Sequence, residues 1–389
     1  MHIYITGAST TKFGELWAIS PRRLAGEAVG GALKDAGVGI RRVDALFVGN
    51  MLSGMLGGQE HLGAFFAEEL GITAPAFKIE GACASGGLAL HNAVNSVLSG
   101  QYDTVVVLGV EKMTDHKPED VAVSLMGAGS EEERVSGVTF PGLYAILARA
   151  HMREYGTTRE QLAAVAVKNH YHASLNPNAQ FHTTVTIEQV VRSPRIADPL
   201  RLLDCSPISD GASCVVVTNK KSNHGIIIAA SAVATDTLGL AQRKSLTELA
   251  ATKEAAKKAY VQAKIEPKDI DVAEVHDCFT IAEILAMEDL GFFPKGKAAG
   301  AIAAGETRLD SRSARLARLG ASGHLVVNPS GGLKGCGHPV GATGVKQIVE
   351  LVDQLRGRAG ARQIKGAKIG LAHNVGGSGA TAVVHILKK

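Results

Sequence analysis

Gly211-Ala212-Ser213-Cys214-Val215-Val216-Val217-Thr218 and Gly379-Ala380-Thr381-Ala382-Val383-Val384-His385-Ile386 are one pattern written twice. Each opens on small residues and runs into β-branched ones, the signature of a buried closing strand. A single recurrence at so wide a spacing points to a duplicated unit rather than a stack of short repeats. Outward from the first copy, strands are expected at 3–5, 44–48, 77–80 and 104–110. Ser20-Pro21 opens a helix with Leu24, Ala28, Val29, Ala32 and Leu33 on one face and Gly37 at its end. The second half replays this. A strand starts at Ile226, Ser245-Leu246-Thr247-Glu248 reads as a capping box, 271–275 is a strand and 280–290 a helix. Val345, Ile348, Val349, Val352 and Leu355 form the apolar stripe of another helix. Strands alternating with helices give an α/β class with a mainly parallel sheet.

The closing strand of the second half follows its predecessor, 368–372, almost at once. In the first half residues 115–203 intervene, with helices at 143–155 and 159–173 and an irregular loop at 176–181. The expected organisation is residues 1–114 with 204–222 as one half, 115–203 as an inserted loop domain, and 223–389 as the second half.

Composition excludes several classes. A net charge of +4 is too small for a nucleic-acid partner, although it suits a phosphate-bearing substrate locally. No apolar run is long enough to span a membrane, and the chain enters its first strand without a leader-like segment. Five cysteines without CxxC or Cys/His spacing argue against a disulfide framework and a metal site, and for a reducing, cytoplasmic setting. GxGxxG after a strand, GxxxxGK[ST] and GxSxG are all absent.

Chemistry concentrates at strand-to-helix junctions. In Lys78-Ile79-Glu80-Gly81-Ala82-Cys83-Ala84-Ser85-Gly86-Gly87 a strand turns through small residues and presents Cys83 at a helix start, where the helix dipole favours thiolate. A small buried hydrophobe is the other reading of such a cysteine. The polar residues His91, Asn92, Asn95, Ser96 and Ser99 stripe the helix that follows. The second half offers Val275-His276-Asp277-Cys278-Phe279, then Asn328-Pro329-Ser330-Gly331-Gly332 leading to Gly337-His338-Pro339-Val340-Gly341-Ala342-Thr343-Gly344. It ends on the glycine turn His373-Asn374-Val375-Gly376-Gly377-Ser378-Gly379. A nucleophile, bases and free backbone N–H groups are what acyl transfer requires.

These elements, in this order and over essentially the whole chain, resemble the thiolase family. The resemblance is closest to archaeal acetyl-CoA acetyltransferases and sterol-carrier-protein-type thiolases, which share the His-Asp-Cys-Phe loop. It implies a thiolase fold: two βαβαβαββ halves in α-β-α-β-α layers with an inserted loop domain. It also implies Claisen condensation of two acetyl-CoA to acetoacetyl-CoA and CoA, or the reverse thiolysis, without a permanently bound cofactor. Cys83 would carry the acyl group, with His338 as its base and later an oxyanion donor. Cys278 would be the second acid/base. His276 would hold an oxyanion-hole water, with Asn374 in support. The N–H groups of Cys83 and Gly376 would form the other oxyanion hole, and Ser231 would meet the pantetheine arm.

The resemblance further implies a homodimer or homotetramer, a role in the mevalonate pathway, and association with a hydroxymethylglutaryl-CoA synthase and a small OB-fold/zinc protein. A β-ketoacyl synthase shares the fold but has no counterpart of Cys278; a catalytically silent scaffold would not need the intact set. Many thiolases carry the acid/base Cys in the final glycine turn, where this chain has Asn374. Cys336 lies outside the family pattern and reads as packing, as do Cys205 and Cys214. Residues 307–322, with Arg308, Arg312, Arg315 and Arg318, read as a solvated face first and a CoA-phosphate contact second. His170 and His172, two apart on a helix, do not share a face and make a poor metal pair.

Overall fold

The computed structural model describes residues 2–310 and 325–389. The first half supplies β1 (Tyr4–Thr10), β2 (Ala45–Gly49), β3 (Ala76–Ile79), β4 (Thr104–Glu111) and β5 (Gly211–Thr218). The second supplies β6 (Ile226–Thr235), β7 (Val272–Glu274), β8 (Val326–Val327), β9 (Ile369–Gly376) and β10 (Thr381–Lys388). Together they form a ten-stranded sheet in the order β8-β7-β9-β10-β6-β1-β5-β4-β2-β3. From the centre outward both halves repeat one strand order. In each, the closing strand, β5 or β10, is antiparallel to both neighbours while the strands beyond it are parallel. The two first strands meet through Tyr4↔Ile227 and Ile5↔Ile226.

Alternation of side chains along the strands builds the layers. Leu46, Val48, Val106, Leu108 and Val216 face outward, against Leu24, Ala28 and Val29 of the helix Pro21–Ala36 and Phe66 of Leu62–Leu70. Ala45, Phe47, Val105, Val107 and Val215 face inward, where two central helices, Ser85–Leu98 and Val340–Arg356, lie side by side. Leu371, Val375, Val384 and Ile386 of the second half pack on the helices Ala250–Ala263 and Thr280–Asp289. The result is the expected α-β-α-β-α order. Each aliphatic residue of the stripe Val345, Ile348, Val349, Val352, Leu355 is buried and contributes about 1.5–3 kcal/mol.

The central helices touch backbone to backbone where they start. A Cβ on Gly86 would lie 2.7 Å from Gly341 O, and one on Gly344 would collide with Gly87 N and Asn374 Oδ1. That contact brings two helix N-termini, one from each half, into one place.

Three expectations change. The sheet, read as mainly parallel, has five antiparallel pairings against four parallel ones, because each closing strand and the two first strands meet their neighbours antiparallel. The helix after Ser245 begins only at Ala250, because Ser245 and Thr247 hydrogen-bond each other (3.1 Å) and the Asp289 carboxylate accepts from Leu249 N (2.8 Å) instead. The strand expected at 368–372 runs on to Gly376, since His373, Asn374, Val375 and Gly376 pair opposite Val384, Val383, Ala382 and Thr381. Asn374 and Gly376 are therefore strand residues, not turn residues. Of the arginine-rich segment, Arg308 stacks on Tyr171 (4.6 Å) and pairs with Asp310; Arg312, Arg315 and Arg318 lie outside the described residues. Among the described residues no helix is long and apolar enough to cross a membrane.

Candidate active site

Strand β3 delivers the chain to Gly81, and Ala82 then takes φ of 53°, a left-handed conformation costing a non-glycine residue about 1 kcal/mol or more. Two side chains hold it there. Ser85 Oγ accepts from Gly81 N (3.1 Å) and donates to Ala82 O (2.6 Å), while Glu80 Oε1 accepts from Ala82 N (2.6 Å). The bend sets Cys83 at the mouth of the Ser85–Leu98 helix, 9% exposed. Burial pushes its thiol up to about 12, with Glu111 and Glu80 adding to the shift; the N–H groups of Gly377 and of Cys83 itself, both facing the sulfur, oppose it. The expected thiolate is thus overruled: desolvation exceeds what the helix terminus returns, and Cys83 rests as a thiol.

His338 occupies the corresponding junction of the second half, just before the Val340–Arg356 helix. Its N–H donates to Ser209 Oγ (2.9 Å), and its Nδ1 lies 2.7 Å from Thr343 Oγ1. Thr343 donates its one hydroxyl proton to Pro339 O (3.1 Å), so Thr343 accepts from Nδ1–H. Nε2 of His338 is left as a bare lone pair. Burial, with Lys346 nearby, pushes this histidine down to about 3, so the ring is neutral.

His276, at the end of β7, has the opposite tautomer. Asn374 Oδ1 accepts from Gly87 N (3.1 Å), which fixes the amide; its Nδ2 then donates to Cys83 O (3.0 Å) and to His276 Nδ1 (3.1 Å). His276 must carry its proton on Nε2, a buried donor with no acceptor among the described residues. The two rings meet edge to face at 5.1 Å. Cys83 Sγ and one ring nitrogen of each histidine all lie within 4.8 Å of one another. A proton donor, a proton acceptor and a thiol converge on one point.

Cys278 joins them in the wall of a cavity of about 190 Å³, which Cys83, His338, Tyr144, Phe279 and Gly377 also line. Its loop is clamped from both sides. Ser206 N donates to Cys278 O (2.9 Å), and the Asp277 carboxylate accepts from Leu333 N (2.6 Å), Lys334 N (3.2 Å) and Asn169 Nδ2 (2.6 Å). Burial raises Asp277 to about 7 and pushes the Cys278 thiol well above its usual range. Met113, Pro118, Leu125, Phe140 and Ile208 complete an apolar chamber.

The family described as "Thiolase, N-terminal domain" matches residues 3–221, and "Thiolase C-terminal domain-like" matches 232–389. The chain belongs to the thiolase family. It is 50% identical to the acetyl-CoA acetyltransferase of Methanothermobacter thermautotrophicus, covering 100% of this chain and 99% of that protein. It is 34% identical to sterol carrier protein 2 of Homo sapiens, over 98% of this chain and 71% of that protein. Among solved structures it superposes on the Ltp2-ChsH2(DUF35) aldolase with a TM-score of 0.82 and 25% identity, covering 100% and 97% of the chains.

In this thiolase-family chain Cys83, His338, His276, Cys278 and Asn374 come together, and other expected residues do not. The amide facing the Cys83 sulfur is that of Gly377; Gly376 sits one residue earlier, locked in β9 opposite Thr381. Ser231 does not line the cavity, because β6 points its Oγ at His91 Nδ1 (2.8 Å) on the nucleophile helix. Cys336 packs with Phe13, Ala173 and Ala342, and Cys214 is buried in β5. Cys205, expected to be structural, contributes to the cavity wall. His170 and His172 diverge, one toward Thr183 O (3.1 Å) and the other toward Asn328 O (2.9 Å). Thr343, Ser209, Gly377 and Tyr144 are site residues that the sequence reading misses. Of these only Thr343 carries a local signal, five residues after His338 in the same Gly-His-Pro element.

Proposed function

We propose that this protein joins two acetyl-CoA molecules into acetoacetyl-CoA and CoA, or runs the reverse thiolysis, through an acyl group on Cys83. The observation that carries it is the pair of opposed histidine tautomers beside one thiol, with a second thiol in the same cavity. His338 Nε2 takes the Cys83 proton as the sulfur attacks the first thioester carbonyl. The C–S bond to CoA breaks, and the same proton leaves with the CoA sulfur. The N–H groups of Cys83 and Gly377 hold the acyl-enzyme oxygen.

Cys278 then passes its thiol proton to the vacant Nε2 of His338 and, as thiolate, removes an α-proton from the second acetyl-CoA, which restores its thiol. The enolate carbon attacks the Cys83 thioester: a carbon–carbon bond forms, the Cys83–acyl bond breaks, and the Cys83 sulfur takes the proton back from His338. His276 Nε2–H holds the water that, with His338, completes the site for the enolate oxygen. Cys278 separates this chemistry from a decarboxylating condensation, which needs no α-proton base.

CoA thioesters are the substrates, and no resident cofactor takes part. The finer setting we infer from the resemblance: a cytoplasmic homodimer or homotetramer feeding the mevalonate pathway beside a hydroxymethylglutaryl-CoA synthase and an OB-fold/zinc protein.

Intact mass after incubation with acetyl-CoA should show one acetyl on Cys83, lost in Cys83→Ala; an unmodified chain would overturn the proposal. Deuterium from D₂O should enter acetyl-CoA with the parent protein and not with Cys278→Ala. Co-purification in size-exclusion chromatography tests the partners.

A further inference from the structure

Cys278 poses a problem that the residues named so far do not solve. It is 6% exposed, Cys83 and Asp277 face it with like charge when ionised, and burial disfavours its thiolate most of all. A base that cannot ionise abstracts nothing.

Tyr144, from the helix Phe140–Tyr155 between β4 and β5, reaches into this corner. Its side chain is 1% exposed and lines the cavity beside Cys278. Its ring stacks on Phe279, the neighbour of Cys278, at 4.6 Å and 29°, so tyrosine and cysteine loop are held in register. The hydroxyl donates to Gly377 O at 3.2 Å, a long bond, and shares the cavity wall with Cys278, so that rotation about its C–O bond can turn the proton toward the sulfur. A phenol has one proton and cannot serve both acceptors. While Cys278 is a thiol the proton goes to the carbonyl. When the sulfur becomes an anion it is the stronger acceptor, since hydrogen bonds to ions are roughly twice as strong as neutral ones.

We propose that Tyr144 is the positioning residue that makes Cys278 a base, its O–H turning from Gly377 O to the sulfur as the thiolate forms. The proton stays on the phenol oxygen throughout; only the acceptor changes. This rests on the reading of Cys278 as the α-proton base. Arg243, anchored on Ser378 O (2.7 Å), adds positive potential at the phenol, and Cys83 adds negative potential when ionised. Gly377 links the two thiols, because its N–H faces Cys83 while its carbonyl is the hydroxyl's resting partner.

The test compares two half-reactions in full-length Tyr144→Phe. Exchange of solvent deuterium into acetyl-CoA should fall about 10- to 100-fold, the range for losing a hydrogen bond to an anion. The limb on which exchange rises with pH should move to higher pH, and the loss of exchange should exceed any loss of Cys83 acetylation, read by intact mass, by at least tenfold. Incorporating 3-fluorotyrosine at position 144 keeps ring and hydroxyl but makes a stronger donor, and should move the limb to lower pH. Exchange within threefold of parent and an unmoved limb in Tyr144→Phe would overturn the proposal, as would equal loss of both half-reactions. Cys278→Ala, run alongside, separates the two ideas. If it is silent while Tyr144→Phe is normal, only the role of Tyr144 fails; if it exchanges at the parent rate, the base reading fails first.

Discussion

Asn374→Asp replaces one NH₂ by oxygen and changes almost nothing in volume. The native amide donates to Cys83 O at 3.0 Å and to His276 Nδ1 at 3.1 Å while accepting from Gly87 N at 3.1 Å. A carboxyl can keep the Gly87 bond. Ionised, it sets a negative oxygen against the Cys83 carbonyl; protonated, it can donate once, to Cys83 O or to His276, not both. At least one buried acceptor is stranded, worth about 1–3 kcal/mol of stability. His276 relieves the conflict by moving its proton to Nδ1, where the new oxygen accepts it, and Nε2 becomes an acceptor.

The site then loses an oxyanion donor, which costs about 10²–10³ in turnover. Steady-state thiolysis of acetoacetyl-CoA should show that loss in kcat with a smaller change in KM, and a urea titration should show the lower stability. Nitrogen-15 shifts of His276 should report the change of tautomer. Unchanged kcat together with a measured stability loss would refute the reasoning, since it would mean that the His276 tautomer is irrelevant to catalysis.

Gly344→Ala places a methyl against Gly87 N and Asn374 Oδ1. It should cost about 1–3 kcal/mol in unfolding free energy. Turnover should drop about 100-fold, because the helices carrying Cys83 and His338 part by roughly 1 Å. His385, its Nε2 3.1 Å from Gly87 O, is held down to about 3 by burial and His91. A histidine whose folded pKa is depressed stabilises fully above its unfolded value and loses that contribution as pH falls toward the folded one. The stability difference between parent and His385→Gln should therefore shrink on going from pH 7 to pH 5, by at most about 1.4 kcal/mol per unit; a pH-independent difference in urea midpoints would contradict this.

Where the sequence is legible, the reason is local. Glycines and proline around Cys83 and His338 announce sharp turns into helices, and the repeated closing strand announces the duplication. Asn374 illustrates the limit. It joins Gly87, far away in the chain, to His276, and nothing within ten residues of it signals either contact. Its place on a strand is hidden too, because His-Asn-Val-Gly-Gly reads as a turn until pairing with β10 is known. The resting state of the Cys83 thiol escapes for a similar reason: a helix terminus can be read from sequence, whereas the depth at which it is buried cannot. Tyr144 comes from the inserted segment, whose packing on the second half no periodicity reveals.

The meeting of β1 with β6, and of the two central helices at their starts, has a consequence for how unlike parts come to face each other. Two identical half-chains associated by a true twofold axis would set each residue against its own copy: thiol against thiol, or imidazole against imidazole. Joining the halves in one chain keeps the geometry of that symmetry while letting its two positions carry different residues. Cys83 and His338 stand at equivalent junctions of equivalent helices. Their difference is what turns a point of symmetry into a direction for the proton to travel.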